Sequence, residues 1–346
     1  MKKIEINIQI IGDDIEIYMP WNKSIENEDC LGKGDMCDSS PDVPSPKIII
    51  VGVGCGGICC INSMVSCGMQ GVELIAVDCD AQVLRSSRVQ NRIQIGRQLT
   101  EGLGAGSRPV IGRAAADRSR KKLTEQFKGA DIVFVVAGMG GGTGSGAAPV
   151  VAECAQEAGA LTIGFVAKPF CFEGRHRMSL AETGISNMQD RVDALITISN
   201  DQLLQAEETK ENSPVLFQSA FADALRLGIR GISDLITAPG LINADLNDVK
   251  TIFKNAGSVS MVTGTGRGDN AYKKAADRAN RAGTDKGARI VLVNITGGKD
   301  LSLYDATRAI DIIVEDTAGN TSIVFGVIID DKMEDDEVRV SCYFVH

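Results

Sequence analysis

The chain has 346 residues, of which 44% are hydrophobic and 23% charged, and its formal net charge is −9. This length allows two domains with sizeable cores, and the acidic balance argues against a nucleic-acid-binding role. No apolar run reaches the roughly 18–20 residues of a membrane span, and acidic residues follow the first lysines too early for a secretory signal. We therefore expect a cytoplasmic protein without direct membrane insertion.

The ten cysteines are scattered through apolar and glycine-rich segments. In a long chain without an export signal, we expect reduced thiols that serve as small buried residues rather than disulfides. The sequence has only two histidines and no paired CxxC units, which argues against a structural zinc site.

The first 46 residues differ from the rest, with ten acidic residues and four lysines. Within them, IEINIQIIGDDIEIYMPW alternates apolar and polar residues on both sides of GDD, which predicts a short hairpin. The following stretch, NKSIENEDCLGKGDMCDSSPDVPSP, predicts a flexible acidic linker.

From Lys47 onwards, apolar strands alternate with helical stretches. The predicted strands are KIIIVGV, VELIAVD, RIQIG, ADIVFVVA, ALTIGFVA and DALITIS; the predicted helices are a segment ending near Cys67, RPVIGRAAADRSRKKLTEQFKG, SGAAPVVAECAQEAG and GRHRMSLAETGISNMQDRV. This alternation predicts a parallel sheet covered on both faces. The loops that follow its strands then lie along one sheet edge, where ligands bind in such folds.

The second half of the chain has a different pattern. SPVLFQSAFADALRLGIRGISDLITAPG predicts one long helix, and LINADLNDVKTIFKNAG predicts a second helix. Beyond them, we expect strands near SVSMVTGTG, GARIVLVNITG, TSIVFGVII and EVRVSCYFV, interrupted by the helical stretches DNAYKKAADRANRAG and LYDATRAIDIIVED. This arrangement is typical of a smaller α+β domain.

Two glycine-rich stretches follow predicted strands. In GMGGGTGSGAAP, from Gly138 to Pro149, bare backbone N–H groups would meet the positive end of a helix dipole, so we expect this stretch to bind phosphate. GVGCGGICC, from Gly52, is placed in the same way; there, phosphate binding and a tight strand–helix turn remain equal alternatives. Two such loops at one sheet edge indicate a polyphosphate held from both sides.

Two other nucleotide-binding classes fit less well. The chain has no GxxxxGK[ST] motif, which excludes a P-loop protein. GVGCGG matches the GxGxxG pattern of dinucleotide-binding domains only weakly, and a nicotinamide-dependent oxidoreductase would leave the larger glycine loop unexplained.

GMGGGTGSGAAP is similar to the signature of the tubulin/FtsZ family, and the likeness extends from Lys47 to about Val345. LGAGSRP, KPFCFEGRHRM, GIRGISDLITAPGLINADLNDVK and NITGGKDLSL resemble FtsZ, the prokaryotic cell-division GTPases, rather than tubulin. The resemblance implies an α/β fold with a parallel-sheet, Rossmann-like GTPase domain at 47–212, a central helix at 213–240 and a smaller α+β domain at 241–346. Residues 1–46 would be an N-terminal extension.

The resemblance also implies a ligand, GTP or GDP, with Mg²⁺ bound mainly through the phosphates. The glycine loops, Thr143 and Ser145 would contact phosphates, and Ala105 and Gly106 would close near the γ-phosphate. The implied nucleotide-binding residues are Gly54, Cys55, Gly56, Gly57, Ala105, Gly106, Gly138, Gly140, Gly141, Gly142, Thr143, Gly144, Ser145, Gly146, Glu173, Arg177, Asn200 and Asp223.

Three of these residue assignments have ordinary structural alternatives. Glu173 and Arg177 match the family's ribose-contacting pair, but their i,i+4 spacing also suits a surface ion pair. Asn200 matches a guanine-contacting asparagine, but it also suits a plain helix N-cap. Asp223 falls near the family's guanine-reading aspartate.

NADLNDVK resembles the family's catalytic loop. Asp245 and Asp248 are three residues apart on the first turn of a predicted helix, although any helix N-terminus favours acidic residues. In FtsZ this loop projects onto the nucleotide of the next subunit, where the two carboxylates would position the attacking water with Asn243 beside them. The implied partners are further copies of the chain in a head-to-tail polymer at the division site, with another FtsZ or division proteins as further candidates.

Several positions depart from the family pattern. Cys55, Ile58, Cys59 and Cys60 interrupt the first glycine loop, and side chains at Cys55 or Ile58 would crowd the phosphates if those positions need positive φ. Asp78 and Cys79 replace an Asn-Thr pair, and Asp78 would repel phosphates. Gln218 replaces a base-stacking aromatic, with Phe217 one step away. The alternative function is therefore a divergent paralogue that binds nucleotide and co-assembles with or regulates another FtsZ, with little hydrolysis.

Two further expectations concern the extension and the cysteines. The chain stops at VSCYFVH without the family's C-terminal tethering peptide, and we expect the N-terminal hairpin and linker to replace part of that tethering. The cysteines near the nucleotide loops are expected to be small-residue substitutions, with a redox switch as the alternative.

Overall fold

The computed structural model describes residues 7–11, 14–18, 46–66, 68–69, 71–201, 214–238, 240–283, 287–315, 317 and 321–346. The chain divides into two compact units between Pro44 and Ser45. In the first unit, β1 (Asn7–Ile11) pairs antiparallel with β2 (Asp14–Tyr18), which confirms the predicted hairpin. The predicted acidic linker lies almost wholly outside the described residues.

The second unit contains the remaining described elements. Its strands are β3 (Ile48–Val53), β4 (Val72–Asp78), β5 (Asn91–Gln94), β6 (Ile132–Gly138), β7 (Leu161–Lys168), β8 (Ala194–Ser199), β9 (Gly240–Ile242), β10 (Gly257–Arg267), β11 (Ile290–Gly297), β12 (Ser322–Ile329) and β13 (Glu337–Val345). Its helices are α1 (Gly54–Ser66), α2 (Ala81–Ser86), α3 (Arg97–Thr100), α4 (Pro109–Asp117), α5 (Arg120–Phe127), α6 (Gly142–Glu157), α7 (Arg175–Gln189), α8 (Pro214–Thr237), α9 (Leu246–Phe253), α10 (Ala271–Gly283) and α11 (Leu303–Glu315).

The eleven described strands of the second unit form one sheet, in the order β5-β4-β3-β6-β7-β8-β10-β13-β11-β12-β9. The first six strands are parallel, as the alternation of strands and helices predicts. Strand β10 joins β8 in parallel over three residue pairs, from Ala194 with Gly257 to Ile196 with Val259. The strands beyond this junction form the mixed sheet of the α+β half.

Both faces of the parallel half are covered. On one face, the side chains of Ile48 and Ile50 pack with α1 and with the apolar side of α8. On the other face, Ile49 and Val51 pack with α4, α5 and α6. Strand β3 is therefore buried along its whole length, which explains its uninterrupted apolar sequence.

The structure corrects three expected element boundaries. The helix predicted over RPVIGRAAADRSRKKLTEQFKG is two helices, because α4 ends at Asp117 and α5 begins at Arg120. The helix predicted over LINADLNDVKTIFKNAG begins only at Leu246, since Gly240–Ile242 pairs with β12 instead. The glycine stretches are not free loops: α1 begins at Gly54 and α6 at Gly142, so six of their ten glycines lie within helices.

Candidate functional site

The first turn of α6 is an anion-binding arrangement. The chain leaves β6 at Gly138 and enters α6 at Gly142, with Gly141 as the N-cap. Gly141 has no side chain to cap the helix, so the first N–H groups of α6 have no intrahelical acceptor. Together with the helix dipole, these groups suit a phosphate.

Most glycines of this segment are required by close packing of the protein itself. A Cβ on Gly144 would lie 2.2 Å from the carbonyl oxygen of Gly138, and one on Gly146 would lie 2.0 Å from that of Pro109. Gly140 has a φ of +94° and leaves no room for a Cβ beside Arg177. The need for these glycines therefore does not depend on a ligand.

Gly141 is different. Its backbone angles, φ −96° and ψ 171°, suit any residue, and nothing lies within 4 Å of where its Cβ would be. Neither conformation nor packing against the described residues requires glycine here. A side chain at this position would enter open space at the N-terminus of α6. That open space is the observation that best fits a bound phosphate.

The first glycine stretch packs against the second. Gly54 has a φ of +75°, and its Cβ would lie 3.0 Å from the backbone nitrogen of Gly144. A Cβ on Gly56 would lie 3.1 Å from the Cα of Gly138, and one on Gly57 would lie 2.3 Å from the carbonyl oxygen of Val136. Packing requires glycine at Gly57 and backbone conformation favours it at Gly54, whereas a Cβ on Gly56 would make a tight contact; together they place the start of α1 beside the start of α6.

Cys55 and Ile58, which depart from the family pattern in the first glycine stretch, do not have the positive φ that would make their side chains crowd the phosphates. Among the described residues here, Gly54 has positive φ, whereas Cys55 and Ile58 do not. Ile58 is buried in the core, and Cys55 is exposed. The expected strain at these two positions is therefore absent.

A third loop, which contains Ala105 and Gly106, contacts the N-terminus of α6. Ala105 is buried, and its Cβ lies 2.9 Å from where a Cβ on Gly142 would be. Gly106 follows with a φ of +57° and with open space where its Cβ would be. The structure thus brings Ala105 and Gly106 to the N-terminus of α6.

The two hydroxyl side chains of the α6 segment have partners within the protein. The Thr143 hydroxyl donates to Asp78 Oδ1 at 2.9 Å, and the Ser145 hydroxyl oxygen accepts from the Gly140 N–H at 2.8 Å. Burial raises the pKa of the Asp78 carboxyl above its usual range, although the Asp80 N–H and Thr143 hydroxyl favour the ionised form. We call the start of α6, the start of α1 and the loop with Ala105 and Gly106 the phosphate cradle. Asp78 is thus a buried carboxyl that only the Thr143 side chain separates from this cradle.

Glu173 and Arg177 lie beside this cradle as an ion pair. Arg177 Nη1 is 3.0 Å from Glu173 Oε2, and Glu173 Oε1 accepts the Phe170 N–H at 2.9 Å. The contact between Arg177 and Gly140 places the pair at the glycine loop. The arrangement fits both an ordinary i,i+4 ion pair and a ribose-contacting pair.

The two residues expected to contact the base have different surroundings. Asn200 Oδ1 is buried and has no hydrogen-bond partner among the residues that the structure describes. An unpaired buried oxygen is unfavourable, so this amide fits a bound polar ligand. Asp223 instead forms a 3.3 Å ion pair with Arg226 on α8. The side chains of Phe217 and Gln218 lie outside the described residues.

Asp245 and Asp248 form a reciprocal cap at the start of α9. Asp245 is the N-cap, rather than a residue of the first turn, and its Oδ1 accepts the Asp248 N–H at 2.7 Å. Asp248 Oδ2 accepts the Asp245 N–H at 3.4 Å. Both carboxylates and Asn243 are exposed. This confirms the ordinary capping role while leaving both acidic groups available to solvent or to another molecule.

Helix α9 is held far from the glycine loops. Lys250 Nζ lies 3.0 Å from Asp131 Oδ1, just before β6, and Lys254 Nζ lies 2.9 Å from Asp193 Oδ1, just before β8. Sequence reasoning did not identify these anchors, because a single acid before a strand is unremarkable. They hold α9 at the amino ends of the parallel strands, whereas the glycine loops follow the carboxyl ends. Seven-residue β6 alone spans about 20 Å.

A cavity of about 390 Å³ lies elsewhere, between the chain after α1, the helix α8 and the end of β12. Arg230 crosses it, pairing with Asp234 at 3.0 Å and with Asp330 at 2.8 Å. None of the glycine-loop residues lines it. We therefore place the functional site at the glycine loops, at the sheet edge where α6 begins and where Asn200 follows the end of β8.

Two family profiles match most of the chain. The sequence profile of the Tubulin/FtsZ family GTPase domain matches residues 47–208, and that of the FtsZ family C-terminal domain matches residues 257–344. A structure of an empty FtsZ dimer from M. jannaschii is 34% identical, with a TM-score of 0.82, and the match covers 88% of this chain and 89% of that one.

Two more distant structures share the fold. A GTPγS-bound protofilament of CetZ2 from Haloferax volcanii is 21% identical, with a TM-score of 0.72 over 86% of this chain and 92% of that one. A GDP-bound monomer of CetZ1 from the same organism is 18% identical, with a TM-score of 0.74 over 86% and 93%. Among the described helices, none combines the length and apolar character needed to span a bilayer.

Proposed function

Because this chain belongs to the tubulin/FtsZ family, we propose that it binds and hydrolyses GTP and polymerises head to tail into dynamic filaments for cell division. We further propose that each active site is completed by the next subunit. The glycine loops, Ala105 and Gly106 would hold the phosphates, and Asn200 would contact the guanine. Asp245 and Asp248 would act on the nucleotide of the neighbouring copy.

The observation that carries this proposal is the separation of the two halves of the site. The anchors Asp131 and Asp193 keep α9 at the amino ends of the strands, and the phosphate cradle lies at the carboxyl ends. Within one molecule, Asp245 therefore cannot reach a nucleotide in the cradle. Stacking a second copy with its α9 end on the cradle of the first brings Asp245 to the nucleotide. The cradle of one copy and the α9 end of the other then remain free to bind further copies.

The exposed apolar side chains fit this stacking. Leu103, Val110 and Phe172 are 82%, 79% and 77% exposed, and all three adjoin the loops around the cradle. Leu241, two residues before Asn243, is 55% exposed. Isolated exposed apolar residues are common, but three such residues around the cradle and one near Asn243 suit an interface.

In the proposed reaction, the two carboxylates of the incoming subunit orient the attacking water and accept its proton as the phosphoanhydride bond breaks. The N–H groups of α6 stabilise negative charge on the phosphates. A phosphate-bound Mg²⁺ would supply further charge neutralisation. Hydrolysis then weakens the subunit contact, so filaments turn over. We place this activity in the cytoplasm at the division site.

One observation favours a second candidate, a nucleotide-binding paralogue that co-assembles with or regulates another FtsZ with little hydrolysis. The Asp78 carboxyl lies next to Thr143, where extra negative charge opposes a triphosphate. Asp245 and Asp248 are compatible with both candidates, because they cap α9 in either case, while their exposure leaves both carboxylates available to the active enzyme.

A mixing experiment tests the split site. GTP turnover is measured across protein concentrations with light scattering on the same samples, for the wild type and for Gly141→Ala and Asp245→Ala separately. Turnover should appear only above a threshold concentration, together with scattering, and each variant alone should be inactive. Mixing the two variants should restore part of the activity. The Asp245→Ala subunit keeps an intact cradle, and the Gly141→Ala subunit supplies an intact Asp245 to it. Nucleotide binding without turnover at any concentration would support the paralogue instead.

A further inference from the structure

Two loops at the carboxyl edge of the parallel strands are joined by one carboxylate. The neighbouring strands β7 and β8 end at the same pair of residues; β7 leads to the turn Cys171–Glu173, and β8 leads directly to Asn200 and Asp201. The Asp201 carboxylate accepts the Cys171 N–H, with both of its oxygens 3.2 Å from the nitrogen. It also accepts the Cys171 S–H, with Sγ 2.8 Å from Oδ2. Asp201 therefore ties the loop after β8 to the loop after β7, partly through a main-chain group.

The same turn is held on its other side by Glu173. Glu173 Oε1 accepts the Phe170 N–H at 2.9 Å, and Glu173 Oε2 lies 3.0 Å from Arg177 Nη1. Arg177 lies against Gly140, just before α6, where any Cβ would be 2.7 Å from the arginine Cγ. The turn thus connects the segment that enters α6 with the loop after β8, and Asp201 makes the second of these two connections.

The residue next to Asp201 has the polar atom that this tie would position. Asn200 Oδ1 is buried and has no hydrogen-bond partner among the residues that the structure describes. A buried amide oxygen without a donor is unfavourable, so this atom fits a ligand that supplies an N–H group. Guanine offers two such donors, N1–H and its 2-amino group, whereas N1 of adenine is an acceptor. A site whose buried polar group needs a donor discriminates strongly against a ligand that lacks one.

We propose that Asp201 is a positioning residue for recognition of the nucleotide base. By holding the main chain beside Asn200 against the Cys171 N–H, it fixes the Asn200 oxygen where that atom meets an N–H donor of guanine. This role rests on the proposed nucleotide-binding function and adds to it a residue that sets base specificity. Asp201 acts without touching the nucleotide, because both of its oxygens are engaged by Cys171.

The test is equilibrium binding of GDP and of ADP to the full chain, measured by isothermal titration calorimetry with Mg²⁺ present, so that hydrolysis does not interfere. The ratio of the two dissociation constants is the base preference. Asp201→Ala should reduce this preference about tenfold, mainly through weaker GDP binding. Asp201→Asn, which keeps an acceptor for the Cys171 N–H, should restore most of it. Cys171→Ala should keep the wild-type preference, because the main-chain N–H remains.

An exposed carboxyl elsewhere provides the matched control. Asp190→Ala, at the end of α7, should leave the preference for GDP unchanged. Thermal unfolding of each variant identifies a general loss of structure, which would weaken the binding of GDP and ADP alike and leave their ratio unchanged. A reduced ratio in Asp201→Ala is therefore the result that a merely structural tie would not produce.

A double-mutant cycle tests whether Asp201 acts through Asn200. In the Asn200→Ala background, Asp201→Ala should lower the preference by less than about twofold, because the atom that it positions is absent. Equal losses in both backgrounds, or a wild-type ratio in Asp201→Ala, would overturn the role of Asp201 and leave the proposed nucleotide binding intact. If the wild-type chain bound GDP no better than ADP, guanine recognition by Asn200 would fail first, and the role of Asp201 with it.

Discussion

The hydroxyl of Thr143, in the first turn of α6, donates a hydrogen bond to the buried carboxylate of Asp78 at the end of β4. While Asp78 is ionised, this hydroxyl hydrogen is directed away from the phosphate cradle. A protonated Asp78 can donate to Thr143 instead, which frees the hydroxyl hydrogen for a phosphate oxygen. The protonation state of one buried carboxyl is therefore expected to influence nucleotide affinity.

We predict that the affinity for GTP rises as pH falls towards the raised pKa of Asp78. Burial already raises the pKa of Asp78, and a bound triphosphate adds negative charge that raises it further. Binding then takes up a proton, so lower pH favours the bound state. Isothermal titration calorimetry in buffers of different ionisation enthalpy measures both the affinity and the proton uptake.

Asp78→Asn should remove this pH dependence. The variant should bind GTP about fivefold more tightly at neutral pH, which corresponds to about 1 kcal/mol. Asp117→Asn, an exposed carboxyl on α4, is the matched control and should behave like the wild type. Persistent pH dependence in Asp78→Asn would assign the titration to another group.

Two glycines of the α6 segment should respond in opposite ways to alanine. Gly141→Ala should change the free energy of unfolding by less than about 1 kcal/mol, because its angles suit alanine and its Cβ meets open space, which offsets the poorer N-cap that alanine makes. It should abolish nucleotide binding by filling the phosphate position. Gly144→Ala should lower the free energy of unfolding by about 3 kcal/mol or more, since its Cβ would meet the Gly138 carbonyl oxygen. Thermal unfolding and nucleotide titration of both variants separate the two roles.

Asp245 has a capping role and a proposed catalytic role, and two substitutions distinguish them. Asp245→Asn should keep the cap and change stability by only a few tenths of a kcal/mol, whereas Asp245→Ala should lose about 1 kcal/mol. Both should reduce GTP turnover about 100-fold or more, because both remove the carboxylate. If Asp245→Asn kept full turnover under conditions where filaments form, the residue would be a cap only.

Leu241→Glu should prevent assembly without affecting the fold. The side chain is 55% exposed on the edge strand β9, so the substitution should change stability by less than about 0.5 kcal/mol. Sedimentation should show loss of polymer, while the monomer still binds GTP. Leu303→Glu on α11 is the control, an exposed leucine outside both the glycine loops and the Asn243–Asp248 segment. Normal assembly of Leu241→Glu would remove this residue from the proposed interface.

Much of the architecture follows from local sequence. The uninterrupted apolar run of β3 is possible only for a strand covered on both faces, and the alternation of strands and helices then predicts parallel pairing. The glycine stretches mark where strands end, so their meeting at one sheet edge follows from the topology. The motifs that resemble the tubulin/FtsZ family add the order of the loops around the cradle.

The remaining features depend on tertiary contacts that sequence alone does not reveal. Strand β9 is three residues long and exists because it pairs with β12. The break between α4 and α5 falls at Arg118 and Ser119, where no glycine or proline marks it. The four cysteines near the loops look equivalent in sequence, yet Cys60 and Cys79 fill the core while Cys55 and Cys59 face solvent.

The crowding of the glycine stretches has a consequence for how relatives of this chain evolve. A descendant that lost its ligand would still need Gly57, Gly144 and Gly146, because these positions are constrained by neighbouring backbone atoms. Selection for folding alone would therefore preserve most of the glycine signature long after activity had disappeared. Gly141 is under no such steric constraint, so its replacement in a lineage would be an early genetic marker that nucleotide binding had been lost.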